Sequence, residues 1–488
     1  MNNIFESRLI RRNNWKDREC GLYPNQFEKS HSAKDLNSFN ADERVSFAGR
    51  ISKIRNLGKI AFMDIKDYSG MFQVSFTVDD LGDKEYKFYL NNLDTGDIIG
   101  VMGEIYSTKG NQKTLRVEEC YLLSKALRIV PSSYEKFNSA ELCVRQRYLD
   151  LLVNDDTRKR FELRSKMISL IRKYLDEEHF MEVETPILQP VAIGAAARPF
   201  KTYHNSLDIP LFLRIGHEPY LKRLMVGGYE RIYEIGKCFR NEGIDPSRLQ
   251  EFTLLEYYVA YWNYKDNMKF MQKMLQEIII KLMGSTKVTY QGIEIDFAGE
   301  WPEVTFRELL IKYVDIDIDE VTTYEELVSD IQKKNLDIEY DKYFTYSSLL
   351  DALYKKYSRI HVIQPTFVTE YPTELVCLSR TCDDNPKRLE LFQLIVNSWE
   401  LIKAYSELVD PIEQKERFEE QKKMREAGDE VASEADEEYV LCMEYGMPIM
   451  SGIGLGIDRL LAILTNVTNI RDTIYFPPVK PMRRSELE

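Results

Sequence analysis

At 488 residues, with 44% apolar and 30% charged side chains, the chain has the make-up of an ordinary soluble globular protein of two or three domains. No run of about 18 apolar residues occurs, which argues against a membrane-spanning helix, and residues 1–15 lack the apolar stretch of a secretory signal. Seven cysteines and five histidines stand singly, without a Cys-x-x-Cys pair, so structural zinc and a disulfide framework are not expected and a reducing cytoplasm is. The net charge of −13 leaves an RNA partner open, because a local basic face decides that question.

Residues 1–42 are polar and predict a helix followed by an extended arm. Over residues 43–130, short β-type runs (45–51, 60–65, 72–76, 98–103 and 115–117) are separated by turn signals such as Tyr68-Ser69-Gly70 and Lys109-Gly110-Asn111. Five short strands predict an all-β barrel of the OB type, a common platform for single-stranded nucleic acid. Residues 131–155 read as a charged linker into a larger domain at 156–488. That domain opens with apolar residues at helical spacing (Phe161, Met167, Ile168, Ile171, Leu175), then a strand stopped by Pro186. Residues 304–357 alternate helical stretches with acidic loops and read as an insertion, and the charged run 413–438 reads as a solvated helical hairpin.

Two hydrophobic runs, 229–235 and 252–260, predict the strands of a hairpin with a charged loop between them. The loop carries Arg240, Glu242 and Arg248 and ends at Phe252. An arginine beside a glutamate, a second arginine and an aromatic ring can hold ATP while a carboxylate attacks its α-phosphate. Far downstream, Gly452-Ile453-Gly454-Leu455-Gly456 leads into Arg459 at the start of an apolar helix, a third arginine.

These elements resemble motifs 2 and 3 of the class II aminoacyl-tRNA synthetases, and the helix and Pro-ended strand resemble motif 1, the dimer-forming element. Further matches run through Arg145-Gln146-Arg147-Tyr148, Ala197-Arg198-Pro199-Phe200, Tyr220-Leu221-Lys222-Arg223-Leu224, Phe239-Arg240-Asn241-Glu242-Gly243 and Thr369-Glu370-Tyr371-Pro372. Together they resemble the bacterial-type class II lysyl-tRNA synthetases over nearly the whole chain. The resemblance implies an α+β fold: a class II catalytic domain, an antiparallel sheet with flanking helices, preceded by the OB barrel. It implies a cytoplasmic homodimer that takes ATP, Mg2+, lysine and tRNA. Arg240, Glu242 and Arg459 would be catalytic, and Arg248, Phe252 and Glu400 would join them around ATP. Gly194, Glu218, Glu256, Tyr258, Tyr405 and Glu407 would hold the amino acid. Arg55, Phe62, Gln73 and Glu119 would read the anticodon.

The chain also departs from that family's pattern. Gln393 stands where a second magnesium-binding acid is expected beside Glu400, Ile402-Lys403-Ala404 replaces Gly-Asn-Gly, and Ile193 replaces a glycine. The added bulk would reshape the amino-acid pocket, and Lys403 would either take over part of a metal's charge or point to solvent. Two rival readings therefore stand beside the first. One is a paralogue activating lysine or an analogue for a non-tRNA acceptor, and the other is a non-catalytic RNA-binding homologue.

Overall fold

The computed structural model describes residues 2–18, 21–39, 43–131, 140–194, 197–243, 245–342, 345–426 and 435–481. Parts of the expected linker (132–139), the loop after Gly194 (195–196) and the charged hairpin (427–434) lie outside the described residues. The chain divides into two compact units, residues 1–154 and 155–488.

The first unit contains α1 (Asn2–Asn13), α2 (Ala33–Leu36), β1 (Arg44–Asn56), β2 (Ile60–Lys66), β3 (Met71–Thr77), α3 (Val78–Asn92), β4 (Ile98–Ser107), β5 (Lys113–Ser124), α4 (Ala140–Arg145) and α5 (Arg147–Val153). Its five strands close into a barrel in the order β1-β2-β3-β5-β4, with β3 and β5 parallel. Alternation makes the core: β2 buries Ala61, Met63 and Ile65 and turns Phe62 and Asp64 the other way. Helix α3 is absent from the sequence reading. Gly82, at φ +75°, interrupts its helical period, yet the Thr77 cap and the burial of Tyr86 and Tyr89 hold it in place.

The second unit runs α6 (Asp155–Glu177), β6 (Met181–Glu182), β7 (Leu188–Gln189), β8 (Lys201–His204), β9 (Ile209–Leu213), α7 (Glu218–Val226), β10 (Arg231–Phe239), β11 (Glu251–Ala260), α8 (Tyr264–Met283), β12 (Lys287–Tyr290) and β13 (Ile293–Asp296). It continues through β14 (Glu303–Thr305), α9 (Phe306–Val314), α10 (Tyr324–Lys333), α11 (Tyr346–Leu353), β15 (Thr366–Thr369), β16 (Leu391–Val396), β17 (Trp399–Ser406), α12 (Pro411–Glu426), α13 (Glu437–Glu444), β18 (Met450–Gly456) and α14 (Ile457–Leu464).

Its principal sheet has eight strands in the order β14-β15-β16-β17-β18-β11-β10-β6. The interior is antiparallel as expected, but both edge pairs, β14/β15 and β6/β10, are parallel, so the sheet is mixed. Residues directly opposed on neighbouring strands share a face, and that parity divides the sheet chemically. The back face carries Tyr233, Leu255, Tyr257, Ile402, Ala404, Ile453 and Leu455, which form one core with Met167 and Ile171 of α6, Met271 and Leu275 of α8, and Leu460 and Leu461 of α14. The front face carries Ile232, Tyr258, Leu391 and Tyr405 against Leu221 and Met225 of α7, Phe306 of α9 and Leu349 of α11.

This parity overturns one expectation. Ile402 and Ala404 add no bulk to a ligand pocket, because both are fully buried on the back face. Ile193 packs with Leu221 and Met225 in the front-side core.

Candidate active site

The front face presents successive rungs across β16, β17, β18, β11 and β10. One rung is Leu391, Tyr405, Gly452, Tyr258 and Ile232. The next is Gln393, Lys403, Gly454, Glu256 and Glu234, and beyond it Gly456, Leu254 and Gly236 lead to Phe252 opposite Cys238. Gly452 is required where it stands. A Cβ there would lie 2.2 Å from Cε1 of Tyr258 and 2.7 Å from Oε1 of Glu407, so any side chain would fill the space between them.

The first rung and α7 bring together a buried acidic cluster. Glu218, at the start of α7, is 5% exposed, Glu256 6% and Glu407 2%. Tyr405 Oη donates to Glu218 Oε1 at 2.6 Å. Glu256 Oε1 accepts the backbone N–H of His217 at 3.2 Å. Glu256 Oε2 and Glu407 Oε1 are buried and make no hydrogen bond, whereas Glu407 Oε2 is in ion-pair contact with Lys222. Burial pushes the Glu407 carboxyl well above the usual carboxylate range, with Glu218 adding to the rise and the Lys222 ammonium opposing it. Burial works against charge on His217, but Cys238 and Glu256 beside it outweigh that and push its pKa up to about 10. Gly194, at φ +97°, turns the backbone beside α7, and a Cβ there would press on Pro219 at 3.1 Å.

The opposite end of the face has the reverse charge. Where β10 and β11 part, the Arg240 backbone N–H donates to the Gln250 carbonyl at 2.8 Å and closes the loop. The Arg240 guanidinium lies over the Phe252 ring, 5.0 Å from its centre. Arg248 is exposed and spans the loop, pairing with Asp245 at 3.3 Å and Glu242 at 3.8 Å. Arg459, in the first turn of α14, donates to the Glu400 carbonyl at 2.7 Å. Burial raises the Glu400 carboxyl, but Arg459, Lys403, Arg359 and Lys355 more than offset it and hold the group below its ordinary value. Burial lowers the pKa of Arg459, and Arg240, Arg359 and Arg248 add to the fall against the pull of Glu400. Cations thus outnumber carboxylates around Glu400, which is the electrostatics of a polyphosphate seat.

Lys403 stands between the two ends. It is half-buried on the rung that also carries Glu256, and burial draws its pKa down while Glu400, Glu218 and Asp351 pull it up. Across the sheet, Gln393 is buried and its Oε1 accepts from Tyr371 Oη at 2.8 Å. Gln393 and Lys403 are direct cross-strand neighbours, so the two departures from the family pattern form one local change.

The sequence reading missed Lys222, His217 and Arg359. Lys222 carried a signal, lying one helical turn after Glu218 among apolar residues. Arg359 carried none, because it sits after an irregular turn far from the phosphate-end motifs.

In the barrel, Arg55 and Phe62 are cross-strand neighbours on the outer surface, and Asp64, opposite Gln73, pairs with Arg55 at 3.0 Å. Gln73 is buried and accepts from Thr114 Oγ1 at 2.9 Å. Glu119 lies past a bulge in β5, opposite Met102, and is held by Arg44 and Tyr121, not by the other three.

The family described as tRNA synthetases class II (D, K and N) matches residues 139–480, and that described as an OB-fold nucleic acid binding domain matches residues 45–123. The chain is 43% identical over 470 residues to the lysine–tRNA ligase of Thermoanaerobacter pseudethanolicus, covering 95% of this chain and 94% of that one. It is 42% identical to the lysine–tRNA ligase of Thermosipho africanus, covering 96% and 94%. To that of Aquifex aeolicus it is again 42% identical, covering 96% of this chain and 78% of the relative. With the barrel, the mixed sheet and the divided site face already in place, these matches settle the assignment: the chain belongs to the lysine–tRNA ligase family of class II tRNA synthetases.

Proposed function

We propose that this chain joins lysine to ATP as lysyl-adenylate and passes the lysyl group to tRNA, acting as a cytoplasmic homodimer. One observation carries the amino-acid assignment. Glu256 Oε2 and Glu407 Oε1 are buried without a hydrogen bond beside Tyr258, while Glu407 Oε2 already faces the Lys222 ammonium, and a substrate ammonium supplies the donors the first two lack. A neutral isostere would leave those carboxylates unsatisfied and be rejected. Glu218 and Gly194 lie side by side at the same cluster and suit the α-amino group.

The lysine carboxylate then lies toward the middle rung, facing the arginine-rich end. Its oxygen attacks the α-phosphorus, the bond to the bridging oxygen breaks, and pyrophosphate leaves without proton transfer. Arg240 neutralises the charge that grows on the α-phosphate, and Arg248 takes the outer phosphates. Phe252 and Arg459 flank the adenine, and Glu242 holds Arg248 and with it the loop. No protein nucleophile is needed, since positioning and charge stabilisation carry the step. A ribose hydroxyl of tRNA next attacks the acyl carbon and AMP departs.

Magnesium is tested by the donor set. Among the described residues no group of three or more His, Cys, Asp or Glu is placed to hold an ion, and the Gln393 amide oxygen already accepts from Tyr371. Glu400 alone fits an ion that arrives with the nucleotide, and the surrounding Arg459, Lys403, Arg359 and Lys355 oppose a second. Such an ion would neutralise phosphate charge, and Lys403 supplies part of that neutralisation from the protein.

Arg55 and Phe62, paired on the outer wall of the barrel, suit stacking and hydrogen bonding to single-stranded bases. Exposed Met181, Ile187 and Leu188 after the long helix α6 suit the dimer contact. No helix among the described residues is long and apolar enough to cross a membrane.

The test is ATP–pyrophosphate exchange across a panel of amino acids, followed by transfer to total tRNA. Lysine-dependent exchange with charging is expected. Exchange without charging would point to a non-tRNA acceptor, and no exchange with any amino acid would leave an RNA-binding protein.

A further inference from the structure

The acidic pocket already contains an ammonium. Lys222 on α7 is fully buried, with Nζ 2.6 Å from Glu218 Oε1 and in ion-pair contact with Glu407. Three tyrosine rings enclose the same ammonium: Tyr405 at 5.5 Å, Tyr439 at 5.9 Å and Tyr258 at 6.0 Å from their centres. An aromatic and carboxylate cage is thus filled by a side chain of the protein, using two of the carboxylates assigned to the substrate. Burying an ammonium is expensive unless it is paired, so its presence here has a consequence for the charge of the pocket.

That charge can be counted. A second ion cluster adjoins the first: Arg214 lies 2.5 Å from Glu234, and His217 lies 3.7 Å from Glu234 and 3.6 Å from Glu256. With all groups ionised, as they are once an incoming ammonium has displaced the Glu407 proton, four buried carboxylates (Glu218, Glu234, Glu256, Glu407) meet three cations (Arg214, His217, Lys222), leaving one negative charge for the ligand to compensate. Lysine, with two ammonium groups and one carboxylate, brings one positive charge. The occupied pocket is then neutral, whereas without Lys222 it would keep one surplus negative charge.

We propose that Lys222 is a positioning and specificity-determining residue, the internal counter-ion that bridges Glu218 and Glu407 and fixes the pocket's charge for an amino acid bearing one net positive charge. This rests on the reading of the pocket as the seat of a side-chain ammonium. By engaging one oxygen of Glu218 and one edge of Glu407, Lys222 holds the acceptor for the α-amino group and the acceptor for the side-chain ammonium at a set separation. It also occupies the cage, so that the substrate ammonium is directed to the unsatisfied oxygens beside Glu256 and not between Glu218 and Glu407.

The test is Lys222→Met in the full-length protein, read by lysine-dependent ATP–pyrophosphate exchange. The expected result is a lysine KM raised by about 100-fold, the scale on which breaking one buried ion pair acts, with kcat changed far less. In a second variant, Lys222→Ala, which does empty the cage, added ethylammonium is expected to restore most of the lost affinity. A purely structural ion pair would lower thermal stability and leave the KM of the folded protein where it was. That outcome, or a KM indifferent to ethylammonium, overturns the proposal. Should Lys222→Met not fold, Lys222→Met/Glu407→Gln decides. Recovery of folded protein supports the counter-ion role, since the surplus charge has been removed, and failure to recover assigns Lys222 to packing. Wild-type protein without any lysine-dependent exchange would strike the underlying reading instead, and the two failures are thereby distinguished.

Discussion

One face of one sheet carries two neighbourhoods of opposite charge. Around Tyr258 and Glu407 buried carboxylates exceed cations, and around Glu400 and Phe252 arginines and lysines exceed carboxylates. They are joined by the rung that carries Lys403 and Glu256. Tyr258 and Phe252 stand six residue steps apart on β11, a span of about 20 Å at the strand rise. On the proposed reading, an α-amino acid and a nucleoside triphosphate laid along that line would be sorted by charge before any chemistry begins, with ammonium at one end, phosphates at the other and the carboxylate toward the middle. The lesson is that orientation comes from the gradient, and each end can be broken separately.

The largest effect is expected at the phosphate end. Arg240→Ala removes the cation nearest the Phe252 ring, and adenylate formation should fall by about a thousandfold in kcat, the upper scale for one charge-stabilising donor. Single-turnover pyrophosphate release measures it, and a drop confined to KM would mean that Arg240 only binds ATP.

The acidic end should answer differently. Glu407→Gln is expected to raise the lysine KM by about a hundredfold with a smaller change in kcat, because the loss lies in recognition. The same carboxyl predicts a pH dependence. Its pKa is raised by burial, so below that value the free protein holds a proton that an incoming ammonium expels. Lysine affinity should therefore rise with pH, by at most tenfold per unit, until the substrate's α-ammonium, the first of its two to titrate, loses its proton. Glu407→Gln should flatten the profile, and an unchanged slope would move the proton to another group.

A smaller effect is expected where the two ends meet. Lys403→Asn takes away the cation facing Glu400, and the magnesium concentration for half-maximal exchange should rise by about tenfold as the ion replaces lost charge. A magnesium titration of both proteins that superimposes would leave Lys403 without a role in neutralisation.

The barrel gives the mildest prediction. Phe62→Ala should raise the tRNA KM for charging by about tenfold, the lower range for one stacked base. The exchange reaction of the same sample serves as the reference, and equal losses in both would place Phe62 in stability.

Much of this was legible in the chain. The hairpin β10/β11 was visible from two hydrophobic runs around a polar loop, and α6 from its helical spacing, because amphipathic periodicity is a local property. The five barrel strands were visible for the same reason. Helix α3 was not, since its glycine and acidic first turn speak locally for a loop and only the burial of Tyr86 and Tyr89 overrules them. Within the site, Glu218, Glu256 and Glu407 are marked by motif, whereas Lys222 is hidden inside one. Nothing in Tyr220-Leu221-Lys222-Arg223 says which of two adjacent basic residues turns inward. The helix does: Lys222 is fully buried, while Arg223 reaches Asp436 at 2.7 Å.

By itself, then, the sequence determined the chemistry on offer: arginines and a ring for a nucleotide, carboxylates and phenols for an amine, and a barrel before a catalytic domain. These follow from residue type and short-range spacing. Tertiary structure alone decided which side chains share a surface. Sheet parity sent Ile402 and Ala404 to the back core and Lys403 between them to the site. Long-range pairing brought Lys222 to Glu407 and Glu400 to Arg459. The physical reason is that a strand alternates faces every residue, so function at each position depends on register with partners far away in the chain.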